Sequence, residues 1–123
     1  MDERSLIYDW NKVDYELNRN PANHPHGVWF DDETLRDGLQ SPSARNPTIE
    51  QKIELLTFME SLGIQKVDLG LPGAGPFHLG HIDAMLSHIT ENDYKIRPGA
   101  AVRTLMNDIE PLVELQVKHG IPI

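Results

Sequence analysis

The sequence predicts an α/β protein built on a small parallel sheet, and three observations carry that prediction. Strand-like and helix-like segments alternate from residue 28 onward. The strand-like segments begin at Val28, Ile64 and Tyr94, a spacing of roughly 30 residues or a little more, which suits one βα unit. The first and third helical segments close on Gly63 and Gly120, the residue that most easily takes the left-handed conformation at a helix end. Alternation of this kind gives parallel strands joined by right-handed crossovers. A doubly wound open sheet and a part of a barrel both satisfy the pattern.

Residues 1–27 read as an irregular arm. Tyr8, Trp10, Tyr15, Pro21 and Pro25 stand among polar residues there, and Trp10 and Tyr15 are suited to pin the arm to a neighbouring surface. The folded unit is expected over residues 28–123. Val28 to Asp32 forms a first strand, and Arg36 to Asn46, rich in Gly, Pro, Ser and Asn, forms a loop. Asn46 is placed to cap the next helix, with Pro47 at its first position, where a missing N–H costs nothing. Ile49, Ile53, Leu56, Met59 and Leu62 then recur at helical spacing.

Ile64 to Gly70 reads as the second strand and Leu71 to Pro76 as a Gly/Pro loop. A second helix covers roughly Phe77 to Ile89, with Leu79, Ile82, Leu86 and Ile89 on one face. Tyr94 to Val102 gives a third strand. Asn107 is expected to cap a third helix, with Glu110 in the capping-box position. Ile109, Leu112, Val113 and Leu115 supply its apolar side. Ile121-Pro122-Ile123 looks like the start of a fourth strand.

Composition narrows the function. The 123 residues hold 11 basic and 19 acidic side chains, for a formal net charge of −8. That balance opposes non-specific nucleic-acid binding, which needs cations to neutralise phosphates. There is no cysteine, so a disulfide framework and a thiolate metal site are both excluded. No apolar run approaches the ~18 residues of a membrane helix, and the acidic start Met1-Asp2-Glu3-Arg4 is unlike a signal peptide. A cytoplasmic protein with neither nucleic-acid nor membrane partners is expected.

The segment suited to chemistry is Asp32-Glu33-Thr34-Leu35-Arg36-Asp37-Gly38-Leu39-Gln40. It follows the first strand directly, at the end of the sheet where barrel enzymes build their sites. The fixed fork of donors on Arg36 suits a carboxylate or a polarised carbonyl. The Asp37 carboxylate suits a hard divalent cation. Charges alone also fit a loop with a surface salt bridge.

Thr34 to Gln40, followed by Ser41-Pro42, resembles the opening motif of the family that contains 2-isopropylmalate synthase, homocitrate synthase, citramalate synthase and 3-hydroxy-3-methylglutaryl-CoA lyase, the DRE-TIM metallolyases. Val67 to Pro72 is similar to the family's second strand and loop, and Lys52 stands close to a lysine common in its synthases. The likeness covers most of residues 28–120. It implies a partial (β/α)₈ barrel of about three βα units plus the start of a fourth strand, since a complete barrel takes about 250 residues.

It also implies a Claisen-type condensation. A 2-oxo acid is held by a divalent metal (Mg, Mn or Zn), and the enolate of acetyl-CoA attacks its carbonyl. On this resemblance Asp37 is a metal ligand, Arg36 and Asp68 are catalytic, and Arg36, Gln40 and Arg103 bind substrate. The family usually carries Glu at the position of Asp68, and its metal-binding histidine pair lies on a much later strand. A lyase of the same family and an inactive binding or assembly module are the alternatives. A piece of three units leaves sheet edges unpaired, so a homodimer is expected.

Other constellations read as incidental. His24-Pro25-His26 precedes the first strand, and its Pro is unlike a strand interior. His78, His81 and His88 read as solvent-facing or cap-proximal. Gly70 to Pro76 lacks the spacing of a phosphate loop. Arg97 is expected at the rim of the sheet opposite Arg103.

Overall fold

The structure, a computed structural model, describes residues 29–123. The predicted arm, Val28 and the His24/His26 pair lie outside the described residues.

Three strands and three helices alternate. They are β1 (Asp31–Asp32), α1 (Ile49–Ser61), β2 (Lys66–Asp68), α2 (Pro76–Glu91), β3 (Arg97–Gly99) and α3 (Met106–His119). The strands form one parallel sheet in the order β1-β2-β3. Lys66 stands beside Asp31 and Arg97, and Asp68 beside Gly99. The predicted α/β class, element order and parallel sheet therefore hold. The strands are shorter than the sequence suggests, because the apolar flanks Ile64, Leu69 and Ile96 pack into the core beyond the ladder. Backbone pairing still runs slightly further, from Leu69 N to the Gly99 carbonyl and from Ala101 N to the Gly70 carbonyl.

α1 begins later than Asn46 and Pro47 predict. Thr48 is its N-cap: its Oγ1 accepts from Gln51 N, and Gln51 Oε1 accepts from Thr48 N at 2.9 Å. This reciprocal pair satisfies two donors that the first turn would otherwise leave open. Gly63 follows with φ +74°, as its place at the helix end requires. α3 also departs from expectation. Asn107 does not cap it; Leu105 holds the cap position without a side-chain bond. The entry turn is closed instead by Asp108, whose carboxylate accepts from Arg103 N at 3.1 Å while its own N–H donates to the Leu105 carbonyl.

The core lies between the sheet and the helices. Leu56 and Met59 of α1, Val67 and Leu69 at β2, Ile82, Met85, Leu86 and Ile89 of α2, and Leu115 of α3 are buried with Leu35 and Ile96. Leu62, expected on the apolar face, is exposed at the end of α1, as is Val113 on α3. Ile121 and Ile123 pack against the core, but residues 121–123 form no strand among the described residues. The predicted start of a fourth strand is thus a short coil, held by Ile123 N donating to Gln116 Oε1 at 3.1 Å.

Candidate functional site

Because the strands are parallel, their C-terminal ends stand side by side, and the segments that follow them share one rim. The first of these segments turns sharply. Asp32 Oδ1 accepts from Thr34 N at 2.8 Å, Glu33 O accepts from Arg36 N and Gly38 N, and a 3₁₀ turn runs over Asp37–Gln40. Leu35 is buried and anchors the turn to the core, which brings Arg36 back over the end of β2.

Arg36 is gripped there from two sides. Its Nε donates to Asp68 Oδ2 at 2.8 Å, and its Nη2 donates to Glu33 Oε2. Asp68 Oδ1 accepts from Gly70 N at 3.0 Å, so both carboxylate oxygens are used. The Asp at this position, one methylene shorter than the family's usual Glu, reaches the guanidinium. Desolvation acts against the Arg36 charge, but the hydrogen bond to Glu33 and the neighbouring Asp68 outweigh it and raise its pKa. Arg36 is a fixed cation.

Beside it opens a cavity of about 180 Å³. Leu35, Leu39, Leu69 and Leu71 form its apolar wall, and Arg36, Gln40, Asn46, Lys52 and His78 supply its polar groups. The structure therefore brings Arg36, Gln40 and, through Arg36, Asp68 to one place.

Asp37 and Arg103 stand apart from the cavity lining. The Asp37 side chain is 68% exposed, and its Oδ1 lies 3.6 Å from Arg36 Nη1. Among the described residues no three His, Cys, Asp or Glu side chains converge where a metal ion could sit. Asp37 offers one oxygen ligand, which by itself does not make a metal site. Arg103 forks onto Asp108 instead: Nε donates to Oδ2 at 2.7 Å and Nη2 to Oδ1 at 2.8 Å. The rest of its side chain remains largely exposed. Asp108 is completely buried, and a Cβ built on Gly73 would fall 2.0 Å from its Oδ1. Arg103, Asp108 and Gly73 thus form a structural joint between the loop after β2 and the start of α3.

Sequence reasoning left Lys52 and His78 out of the site. The motif contains neither, since their side chains reach the cavity from the helices, although Lys52 stands close to a lysine common in the synthases that the chain resembles. The other histidines are not simply solvent-facing. His81 Nδ1 is buried without a hydrogen-bond partner among the described residues. His88 Nε2 lies 3.2 Å from the Tyr94 hydroxyl and 3.4 Å from Thr57 Oγ1, tying α2 to α1. Arg97 lies at the far end of β3, over the Trp29 ring at 4.4 Å, as its placement at the opposite rim requires.

An α/β chain with a β1 motif aimed at the strand ends defines a class, and comparison with known proteins places it more narrowly. Residues of this chain are 38% identical over 79 positions to 2-isopropylmalate synthase of Campylobacter fetus subsp. fetus, a match covering 64% of this chain and 15% of that protein. The 2-isopropylmalate synthase of Sediminispirochaeta smaragdinae is 40% identical over 52 residues, 42% of this chain and 10% of its own length. Homocitrate synthase of Methanopyrus kandleri is 31% identical over 93 residues, 76% of this chain and 22% of that enzyme. The matches fit an N-terminal segment of a DRE-TIM metallolyase, and the chain spans about 15% of the length of several of these curated relatives. No family model matches. No solved structure matches. No helix among the described residues is long and apolar enough to cross a membrane.

Proposed function

We propose that this chain is the N-terminal segment of an acyl-CoA-dependent 2-oxo acid condensing enzyme of the 2-isopropylmalate synthase type. Its three βα units are then the opening of a (β/α)₈ barrel in a cytoplasmic homodimer. The observation that carries the reading is the immobilised Arg36 guanidinium at the strand ends, gripped by Asp68 and Glu33 beside a small cavity of mixed polar and apolar lining.

When the acetyl-CoA enolate attacks the 2-oxo carbonyl, the carbonyl oxygen gains negative charge. A cation already fixed in place stabilises that charge without reorganising at the moment of reaction. Arg36 takes this role. Asp68 holds the guanidinium plane through Nε and is itself held by Gly70 N, so it acts by positioning Arg36. Gln40 lines the cavity and binds substrate through its amide. Arg103 stands further along the same rim, where its exposed face meets an anionic part of the substrate. Asp37 would be one ligand of a divalent cation, whose other ligands would come from outside the described residues, and that cation would supply Lewis-acid polarisation of the 2-oxo acid.

The test is CoA release from acetyl-CoA by the full-length protein, with a panel of 2-oxo acids and either Mg²⁺ or Mn²⁺. Turnover that collapses in Arg36→Ala, with the fold intact by circular dichroism, is the expected result. Activity of Arg36→Ala within a few-fold of wild type removes Arg36 from the mechanism. Failure to release CoA from any 2-oxo acid removes the condensing reading.

A further inference from the structure

The cavity beside Arg36 has an unusual lining for so acidic a protein. The chain holds 19 acidic side chains, yet no carboxylate among the described residues lines this cavity, whereas Arg36, Lys52 and His78 all do. Lys52 is the most unusual of them. It sits on α1 and is only 3% exposed. The other lysines of the described region are far more exposed, and each is paired: Lys66 with Asp31, Lys95 with Asp93, Lys118 with Asp83. Lys52 makes no ion pair or side-chain hydrogen bond among the described residues. Burial pushes its pKa down, and no neighbouring carboxylate offsets that effect.

A lysine buried without a partner is costly, and it is tolerated where a bound group completes it. His78 flanks the same space. His81 is held below the usual histidine pKa by burial and by the charges of Lys52 and His78, with the Glu50 carboxylate acting the other way, so the three basic groups lie within one another's field. The cluster repels a further cation and attracts an anion.

We infer that Lys52, assisted by His78, is a second anion-binding point of this cavity, which receives a carboxylate of a ligand whose other end lies at Arg36. The four leucines that line the same cavity fit a short carbon chain. This rests on the condensing-enzyme reading only in placing the reacting carbonyl near Arg36. The distal carboxylate of a 2-oxo dicarboxylic acid has the required chemistry and length.

Calorimetry on the 123-residue chain tests this with a matched pair of probes, 2-oxoglutarate against 2-oxopentanoate. The member bearing the extra anion is expected to bind roughly tenfold more tightly, the scale of one charge-assisted hydrogen bond. Lys52→Met should erase that advantage and Lys52→Arg should restore much of it. In wild type the ¹³Cε resonance of Lys52 should move on titration with the preferred probe, which reads the contact without any substitution. Equal affinities within the pair in wild type, or a preference that survives Lys52→Met with an unmoved Lys52 resonance, overturns the proposal. A full-length enzyme that releases no CoA, beside a chain that still shows the Lys52-dependent preference, sinks the condensing reading and keeps this site.

Discussion

At the scale of single residues, the site is a matter of which charges are paired and which are left for a ligand. Arg36 gives Nε to Asp68 and Nη2 to Glu33, so Asp68→Ala removes one of two side-chain grips. In the full-length enzyme we expect a loss of roughly 10²-fold in kcat with little change in KM, since a group displaced by about 1 Å costs that much in a positioned site. A fall confined to KM contradicts a positioning role. Arg36 and Gln40, which line the cavity, stand in the motif, and Asp68 was marked by the likeness of the second strand; Asp37, in the same motif, lies outside the cavity lining. Lys52 was marked only by its likeness to a lysine of the synthases; its burial was not legible, since a lysine within a helical pattern ordinarily lies in solvent and spacing alone does not reveal that a cavity opens beneath it. Replacing this largely buried, unpaired lysine by the apolar Met should raise stability by about 1 kcal/mol, a gain of several degrees in Tm for a domain of this size. A lower Tm for Lys52→Met shows that the ammonium is satisfied in the free protein.

The Asp108 carboxyl is held below the usual carboxylate range, chiefly by hydrogen bonds from the Arg103 side chain. Its charge therefore stabilises the fold at pH values above that range, and the benefit fades as pH falls through it. Melting temperatures of wild type and Asp108→Asn, measured from pH 7 to pH 3, should be well separated at neutral pH and converge on acidification. A constant gap means that the contribution is steric.

At the scale of elements, the boundaries show how local chemistry is decided by small competitions. Asn46 and Thr48 are both good caps by residue type; Thr48 prevails because Gln51 stands three residues on and returns the hydrogen bond. Thr48→Ala should cost about 1 kcal/mol in urea unfolding, whereas Asn46→Ala should be neutral; the reverse pattern refutes the assignment. Asn107 and Glu110 offered the same signature for α3, yet the turn there is closed by Asp108, whose partner is fixed by a fork from Arg103 that spacing rules do not contain. The joint extends to the loop after β2. Gly73→Ala should destabilise the wild type strongly, because its Cβ meets the Asp108 carboxylate. It should cost much less in an Asp108→Ala background, where the space is vacant. Additive effects in that cycle refute direct contact.

At the scale of the whole molecule, the alternation of strands and helices was readable because hydrophobic periodicity changes with each element, and the parallel order followed from the crossovers. Which apolar faces would be covered was less readable. Met106, Val113 and Val117 lie at helical spacing along α3 and are all exposed, and β1 and β3 each pair only with β2 among the described residues. An exposed stripe together with open sheet edges favours association. Sedimentation velocity on the 123-residue chain at micromolar concentration should show dimers or larger species, and Val113→Lys with Val117→Lys should shift the distribution toward monomer. A chain that stays monomeric and melts cooperatively marks that stripe as ordinary surface.

The contact between Gly73 and Asp108 also has a consequence for heredity. A side chain at position 73 has no room while the carboxylate occupies its place, so the two positions are not free to drift separately. A lineage can gain bulk at 73 only after position 108 has given up its acid, and by then Arg103 has lost the anchor that holds its fork. The order of these changes is thereby constrained, and a descendant carrying alanine at 73 together with an intact Arg103–Asp108 pair should be the rarest combination of the three.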